Sequence, residues 1–336
     1  MAQVGLGGIL LTLTGSPVFT DLTVVNEFLS NTGIINTLDI NAIRIGYLAG
    51  PSYTAGTHIS IGRKAGWKST TGGIVAIGQS AGEQNVAGSV VAIGHYAGQK
   101  STSIAFVGVG GGCGQETTSG IFTGLGYVAG AANTTGNITA IGYGALNVNT
   151  TGNSNTAVGH QSLGSNTTGY ENCAFGSQTL LGLIDGCENS AFGDQALQGL
   201  TSGYSCLGLG HRAGMALTLG NRMICIGWGA GWGAEDGIGT VNKPVEDTYG
   251  ILIGHLADRS VVSATILTNY IGIGYGVQVD KSNQIKLGNP SITEINLHLT
   301  ALPTAANNAA AAIADILVGG LYRTNADPSI VCIRSA

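Results

Sequence analysis

Residues 155–169 read NTAVGHQSLGSNTTG and are followed by ENCAFGSQTLLGLIDG (171–186) and ENSAFGDQALQGLTSG (188–203). Each unit runs small residue, apolar residue, Gly, two polar residues, small residue, Leu, then a Gly-ended turn. With the Gly after the apolar residue as anchor, copies fall at Gly46, Gly62, Gly78, Gly94, Gly108, Gly126, Gly142, Gly159, Gly176, Gly193, Gly210, Gly227, Gly254, Gly274 and Gly288. Most are 16 or 17 residues apart. A short period sustained this long marks a solenoid, in which each unit packs only on its neighbours.

The columns of the repeat predict which solenoid. The position before the anchor is always apolar (Ile45, Ile61, Ile77, Ile93, Val107, Leu125 and onward to Leu287) and reads as an inward-facing ladder. The position before that carries Ala76, Ala92, Ala140, Ala157, Ala174 and Ala191, on the opposite face by the period-2 alternation of a strand. An outward Ala row suits a face packed closely on other copies of the chain. Replacing Ala92, Ala157 and Ala174 by Lys is then expected to block assembly. Turn segments such as NTTG (133–136, 149–152, 166–169) supply Asn and Gly for left-handed backbone and Thr for side-chain-to-backbone bonds. A coil this short has room for two short strands and two turns and none for a proper helix. The expected fold is all-β: a parallel β-roll of about 15 coils with two strands per coil.

Composition fits. Charged residues are 9% of the chain, against about 25% in an ordinary globular protein. Gly totals 57 of 336 with no Gly-X-Y period, which excludes collagen, and 43% apolar content argues against disorder. The net charge of −5 without a basic run speaks against a nucleic-acid partner. No apolar span approaches the ~20 residues of a membrane helix, so no membrane insertion is expected. MAQVGLGGILLTLTGSP (1–17) has no basic residue before its apolar run and makes a poor signal peptide. The six cysteines lie scattered without a CxxC pair and read as free thiols.

The units TAVGHQSLGSNTTG, VVAIGHYAG and IVAIGQSAG resemble the head repeats of trimeric autotransporter adhesins and related viral fibres, over roughly residues 43–288. The resemblance implies three left-handed β-rolls wrapped into an intertwined homotrimer, although the repeat here is two or three residues longer than is usual in that family. PVFTDLTVVNEFLSNTGIINTLDINAIRIG (17–46) and KSNQIKLGNPSITEINLHL (281–299) resemble connecting segments of bacteriophage tail fibres, and GGLYRTNADPSIVCIRSA (319–336) resembles their short terminal hairpin. An autotransporter is expected to add a secretion signal, a coiled-coil stalk and a β-barrel anchor, none of which this sequence displays. The resemblance therefore implies a phage tail fibre or receptor-binding protein: a non-enzymatic virion component, assembled in the host cytoplasm. Its partners would be itself, other tail or baseplate proteins through the N-terminus, and a host surface glycan or protein. The alternatives are a glycan-cleaving tailspike and an autotransporter head. The implied organisation is an N-terminal connecting segment (1–42), a β-roll (43–290) with an insertion at 232–250, and a C-terminal segment (291–336). In that last segment AANNAAAAIADILV (305–318) could form a short helix ahead of a trimeric cap hairpin.

Little catalytic vocabulary is present. GLGYVA (124–129) and GLGHRA (208–213) mimic a dinucleotide fingerprint but lack its strand–turn–helix setting, so no cofactor is expected. His95, His160, His211 and His255 each follow an anchor, several coils apart within one chain, and read as surface residues rather than as a metal site. Carboxylates pair only at Asp185/Glu188 and at Glu235/Asp236, the second within the insertion WGAEDGIGTVNKPVEDTYG (232–250). The Asn-X-Ser/Thr sites at Asn133, Asn137, Asn149 and Asn166 read as turn residues rather than glycosylation sites. Loops on rigid scaffolds concentrate binding residues, and the column after the anchor varies freely as an exposed row can. The candidate receptor-binding residues are therefore Trp228, Trp232, Glu235, Asp236, His255 and Tyr275, with aromatic rings offered as platforms for sugars. A variant lacking 234–247 and carrying Trp228→Ala is expected to lose host binding.

Overall fold

Strands here are short because an anchor glycine ends each one and a turn precedes it. The computed structural model describes residues 42–50, 57–70, 72–86, 88–103, 105–232, 247–259 and 266–292, and the backbone of three further strands near the C-terminus. In chain order the strands are β1 (Ala42–Ile45), β2 (His58–Ile61), β3 (Ile74–Ile77), β4 (Ser89–Ile93), β5 (Ala105–Val109), β6 (Ile121–Leu125), β7 (Ile138–Ile141), β8 (Asn155–Val158), β9 (Cys173–Phe175), β10 (Ser190–Phe192), β11 (Leu207–Leu209) and β12 (Ile224–Ile226). They continue with β13 (Thr248–Ile253), β14 (Asp258–Arg259), β15 (Thr268–Ile273), β16 (Gln278–Val279) and β17 (Ile285–Leu287). All but β14 and β16 join one 15-stranded parallel sheet in sequence order, making a solenoid of about 14 turns. Register is one repeat per step: Ala140 pairs Ala157, Ala174 pairs Ala191, and Val158 pairs Phe175. Among the described residues there is no helix, and none long and apolar enough to cross a membrane.

Three expectations need correction. Most coils carry one strand, not two. On the return side, the second and fourth residues after the anchor both take left-handed φ, as at Gln161 (+53°) and Leu163 (+51°), which breaks the pleat. Coil-to-coil hydrogen bonds persist there (Leu163 N donates to the Thr179 carbonyl at 3.0 Å, Leu180 N to Ala196 at 3.0 Å), but only β14 and β16 become a strand pair. The fifth anchor is Gly110, not Gly108: Ile93 pairs Val109, Gly110 has φ +137°, and the spacing becomes 16 on both sides.

The third correction concerns inside and outside. Ala76, Ala92, Ala140, Ala157, Ala174 and Ala191 are fully buried core, whereas Leu125 is 51% exposed and the residues before the other anchors are partly or largely exposed. The reason is volume. A coil of about 16 residues closes around an interior too narrow for large side chains on every inward position. The Lys substitutions at Ala92, Ala157 and Ala174 would therefore put charges inside the coil and destroy the fold, not merely assembly.

Inward space is filled by exchange between columns. In β3 to β6 the residue four before the anchor is large (Ile74, Val90, Phe106, Phe122), and the residue four after it is Gly82, Gly98, Gly114 or Gly130. Phe106 and Phe122 stack at 4.7 Å. A Cβ on Gly114 would lie 2.5 Å from Phe106 and 2.7 Å from Phe122. From β8 to β10 the arrangement inverts: Leu163, Leu180 and Leu197 fill the centre, and Asn155, Asn172 and Asn189 take the position of the large residue. Those Leu sit at φ about +51° to +52°. That conformation costs roughly 1–2 kcal/mol, and full burial of Leu returns roughly 1.5–3 kcal/mol, so the packing wins.

Two buried Asn ladders run along the axis. Asn149 donates to Asn133 (2.7 Å) and Asn166 to Asn149 (2.7 Å); Asn172 donates to Asn155 (3.2 Å) and Asn189 to Asn172 (3.0 Å). The backbone amides of Asn172 and Asn189 also donate to the Asn155 and Asn172 side-chain oxygens, and the Cys206 amide donates to that of Asn189. Asn133, Asn149 and Asn166 are fully buried, which withdraws three of the four glycosylation sequons from any enzyme acting on the folded chain.

The chain divides into two units, Met1–Asn289 and Pro290–Ala336. In the second, β18 (Thr304–Ala305) pairs parallel with β19 (Leu321–Thr324), which pairs antiparallel with β20 (Val331–Ile333). Residues 1–41 and all of the candidate helix at 305–318 but Ala305, which ends β18, lie outside the described residues.

Two glycines separate strain from crowding. Gly144 has φ +64° and a Cβ there would meet only Gln161 Cγ at 3.6 Å, so Gly144→Ala should lower the unfolding free energy by about 1 kcal/mol. Gly159 has φ +137° and its Cβ would lie 2.2 Å from the Gly176 carbonyl oxygen. Gly159→Ala should exceed about 4 kcal/mol and abolish a cooperative transition. Equal melting curves for the two variants would contradict the packing described.

Candidate functional site

The residue after each anchor turns outward at the corner of the coil, so its side chain stacks on its counterpart about 4.8 Å along the axis. Where successive coils place rings there, they form ladders. His211 stacks on Trp228 (centroids 5.9 Å, 16° between planes), Trp228 on His255 (4.8 Å, 13°) and His255 on Tyr275 (5.3 Å, 15°). Trp232 meets Trp228 edge-on at 5.3 Å and 80°, and the Arg212 guanidinium lies over Trp232 at 5.1 Å. Arg212 is steadied by Gln195 (2.8 Å) and His211 by Asp194 (3.3 Å). A shorter ladder joins Tyr127, Tyr143 and His160 at 5.7 and 5.3 Å.

Four of the six candidate residues, Trp228, Trp232, His255 and Tyr275, thus form one contiguous cluster, while Glu235 and Asp236 lie outside the described residues. The sequence places His211 in the same column and reads it as a surface residue; Arg212 and Asp194 are not among its candidates, and the structure adds all three to the cluster. The faces between successive rings are covered by their neighbours, and the ladder ends at Tyr275, which stacks on His255 alone. Tyr275 is 65% exposed.

The end of the insertion belongs to the fold. Asp247 is buried and accepts from Arg259 (3.1 Å), the Leu267 amide (2.9 Å) and the Tyr270 hydroxyl (3.0 Å). Burial, followed by the charge of Asp247, pushes the Tyr270 phenol well up, so it stays a donor. A deletion of 234–247 would therefore damage the coil, and the cut must stop at residue 246. Of the other pair, Glu188 accepts from Ser205 (2.8 Å).

Five cysteines are described, all free. Burial pushes the Cys113 thiol up to about 12 and Cys206 up to about 11, and it raises Cys225 as well, which disqualifies these three as nucleophiles near neutral pH. Among the described residues no group of three or more His, Cys, Asp or Glu is placed to hold a metal ion.

Stacked pairs contribute about 0.5–1.5 kcal/mol beyond burial. A double-mutant cycle of Trp228→Ala and His255→Ala, read by denaturant unfolding, should give a coupling of about 1 kcal/mol. Additive losses would mean that the rings merely lie side by side. Comparison with protein-family models, curated proteins and solved structures finds no match to this chain.

Proposed function

We propose that the chain is a non-enzymatic attachment fibre of the bacteriophage tail type, a homotrimer of left-handed β-rolls that binds the host cell surface. One observation carries this reading: the solenoid closes its own core with small residues and leaves a long apolar face uncovered. Along the outer face of the sheet run two rows, one from Ile43 through Val75 and Val91 to Ile285, the other from Ile45 through Ile93, Phe175 and Phe192 to Leu287. Phe175 and Phe192 stack there at 5.3 Å, and Ile285 is 71% exposed. Monomeric soluble proteins rarely expose apolar patches beyond a few hundred Å², while stable interfaces bury about 800 Å² per partner. A face spanning some 14 turns suits mutual packing of copies, and the fibre resemblance of the repeat makes their number three. A rod so assembled holds its ring ladders in fixed geometry, as attachment to a surface requires.

The sheet face, rather than the Ala row, is thus the assembly surface. Light scattering should give three times the 33.8 kDa chain mass. Lys at Ile93, Val158 and Phe192 together should yield monomer or aggregate, since each would bury an unpaired charge. Cys173 lies on this face and Cys187 does not, so a maleimide should label Cys187 in the native assembly and reach Cys173 only after dissociation. A stable monomer with equal labelling would overturn the assembly. For attachment, Trp228→Ala should leave the oligomer intact and reduce binding to host cells at least tenfold; undiminished adsorption would remove the ring ladder from recognition.

A further inference from the structure

A second built feature lies at the other end of the strands, where the chain enters the sheet. Arg222 directs both hydrogens of one guanidinium nitrogen, Nη1, to phenol oxygens: Tyr204 at 3.1 Å and Tyr249 at 2.9 Å. Its guanidinium carbon lies 4.8 and 5.3 Å from the centres of the same two rings. The three residues come from three successive coils, and their backbones are locked. The Arg222 amide donates to the Tyr204 carbonyl (2.9 Å), the Tyr249 amide to Asn221 (3.1 Å), and the Tyr204 amide to the Asn221 side chain (3.1 Å). All three side chains stay exposed, and among the described residues no carboxylate pairs with Arg222.

We propose that Tyr204, Arg222 and Tyr249 form a carboxylate-binding site for an acidic polysaccharide. The chemistry is that of a donor-only cluster. Each phenol oxygen accepts from the guanidinium, so its own hydrogen is free to point elsewhere. Nη2 and Nε keep the planar fork that matches a carboxylate with two parallel hydrogen bonds. Two rings hold the guanidinium in place, so little freedom is lost on binding. Neighbouring coils set the limits. On one side Asn269 and Asn283, joined at 2.8 Å, continue the row with exposed amides suited to sugar hydroxyls. On the other, the Glu188 carboxylate, two coils from Arg222 and tied to Ser205, repels an anion. Such an open ridge would hold a free small anion weakly. A polymer with a carboxylate on each sugar rebinds before it leaves, and so gains from effective concentration.

The test uses the full chain, with polygalacturonate as the acidic probe and dextran as the neutral one. Binding to polygalacturonate that weakens with salt, and none to dextran, is expected. Arg222→Gln should lower the affinity at least tenfold. Arg222→Lys, which keeps the charge and loses the fork, should lower it severalfold, and Lys68→Gln, which removes an exposed cation many coils away, should leave it unchanged. Should Arg222→Gln fail to fold, Tyr249→Phe, which removes one oxygen, decides by a loss of severalfold. No binding to polygalacturonate, equal binding to dextran, full affinity in the Arg222 or Tyr249 variants, or an equal loss in Lys68→Gln would each overturn the proposal. Failure here would leave the attachment reading standing, since that reading rests on the sheet face and the ring ladder.

Discussion

The fold depends on one close approach, that of backbone to backbone at the anchor glycine. At Gly62, Gly94, Gly142, Gly176 and Gly210 φ lies between +126° and +137°, and a Cβ would fall 2.3 to 2.7 Å from the carbonyl of the next anchor. Only glycine permits that separation. It lets the chain turn off the sheet in one residue, and the amide after each strand still reaches the coil below: Gly159 N donates to the Ile141 carbonyl at 2.7 Å and Gly176 N to Val158 at 2.8 Å. Everything outside the anchor inherits its spacing. The ring ladders, the Asn ladders and the tyrosine–arginine cluster all stack because the anchors do.

Given that spacing, the interior becomes a problem in volume rather than in hydrophobicity. One coil centre accepts a Phe from the strand or a Leu from the return side, and the unused partner shrinks to Gly, Ala or Asn. A Cβ on Gly108 would meet the Phe106 ring at 2.5 Å, and one on Gly124 the Phe122 ring at 2.5 Å. Where Leu takes over, the freed strand position carries an Asn whose amide bonds to the next coil. A polar residue there costs nothing in satisfaction, because the ladder supplies both donor and acceptor.

Much of this was legible in the sequence, and the failures have physical causes. Period and parallel stacking could be read because glycine cannot be exchanged at the anchor. The fifth anchor was misplaced because GVGGG (108–112) offers several glycines, and only an even spacing of 16 from Gly94 to Gly126 selects Gly110. Inside and outside were inverted because both faces of these strands are apolar, as at Ile74, Val75, Ala76 and Ile77, so alternation alone is silent. The deciding signal was size: the Phe at 106 and 122 share parity with the Ala row. The contact of Trp228 with His255 hides behind a 27-residue spacing, yet anchor alignment puts them in adjacent coils. The cluster of Tyr204, Arg222 and Tyr249 went unnoticed because its members sit one column apart and meet only through long side chains.

The inversion changes what the low charge content means. A small-residue core needs no partner, since every coil closes by itself and the Asn155–Asn172–Asn189 ladder is satisfied within the chain. On the outer face Val, Ile, Leu and Phe occupy positions that a solvated sheet would give to polar residues, and this is the face the proposed assembly would cover. The row from Ile43 to Ile285 is interrupted where Thr123, Thr139 and Thr156 follow one another near the middle of the sheet. Hydroxyls there weaken that row without adding charge. Under the proposed assembly the scarcity of charge follows: one face is closed inward by packing, a second is apolar, and the corners of the coils remain open to solvent. Both clusters of rings and cations stand at those corners, where a stacked row of side chains is rigid and still open to solvent.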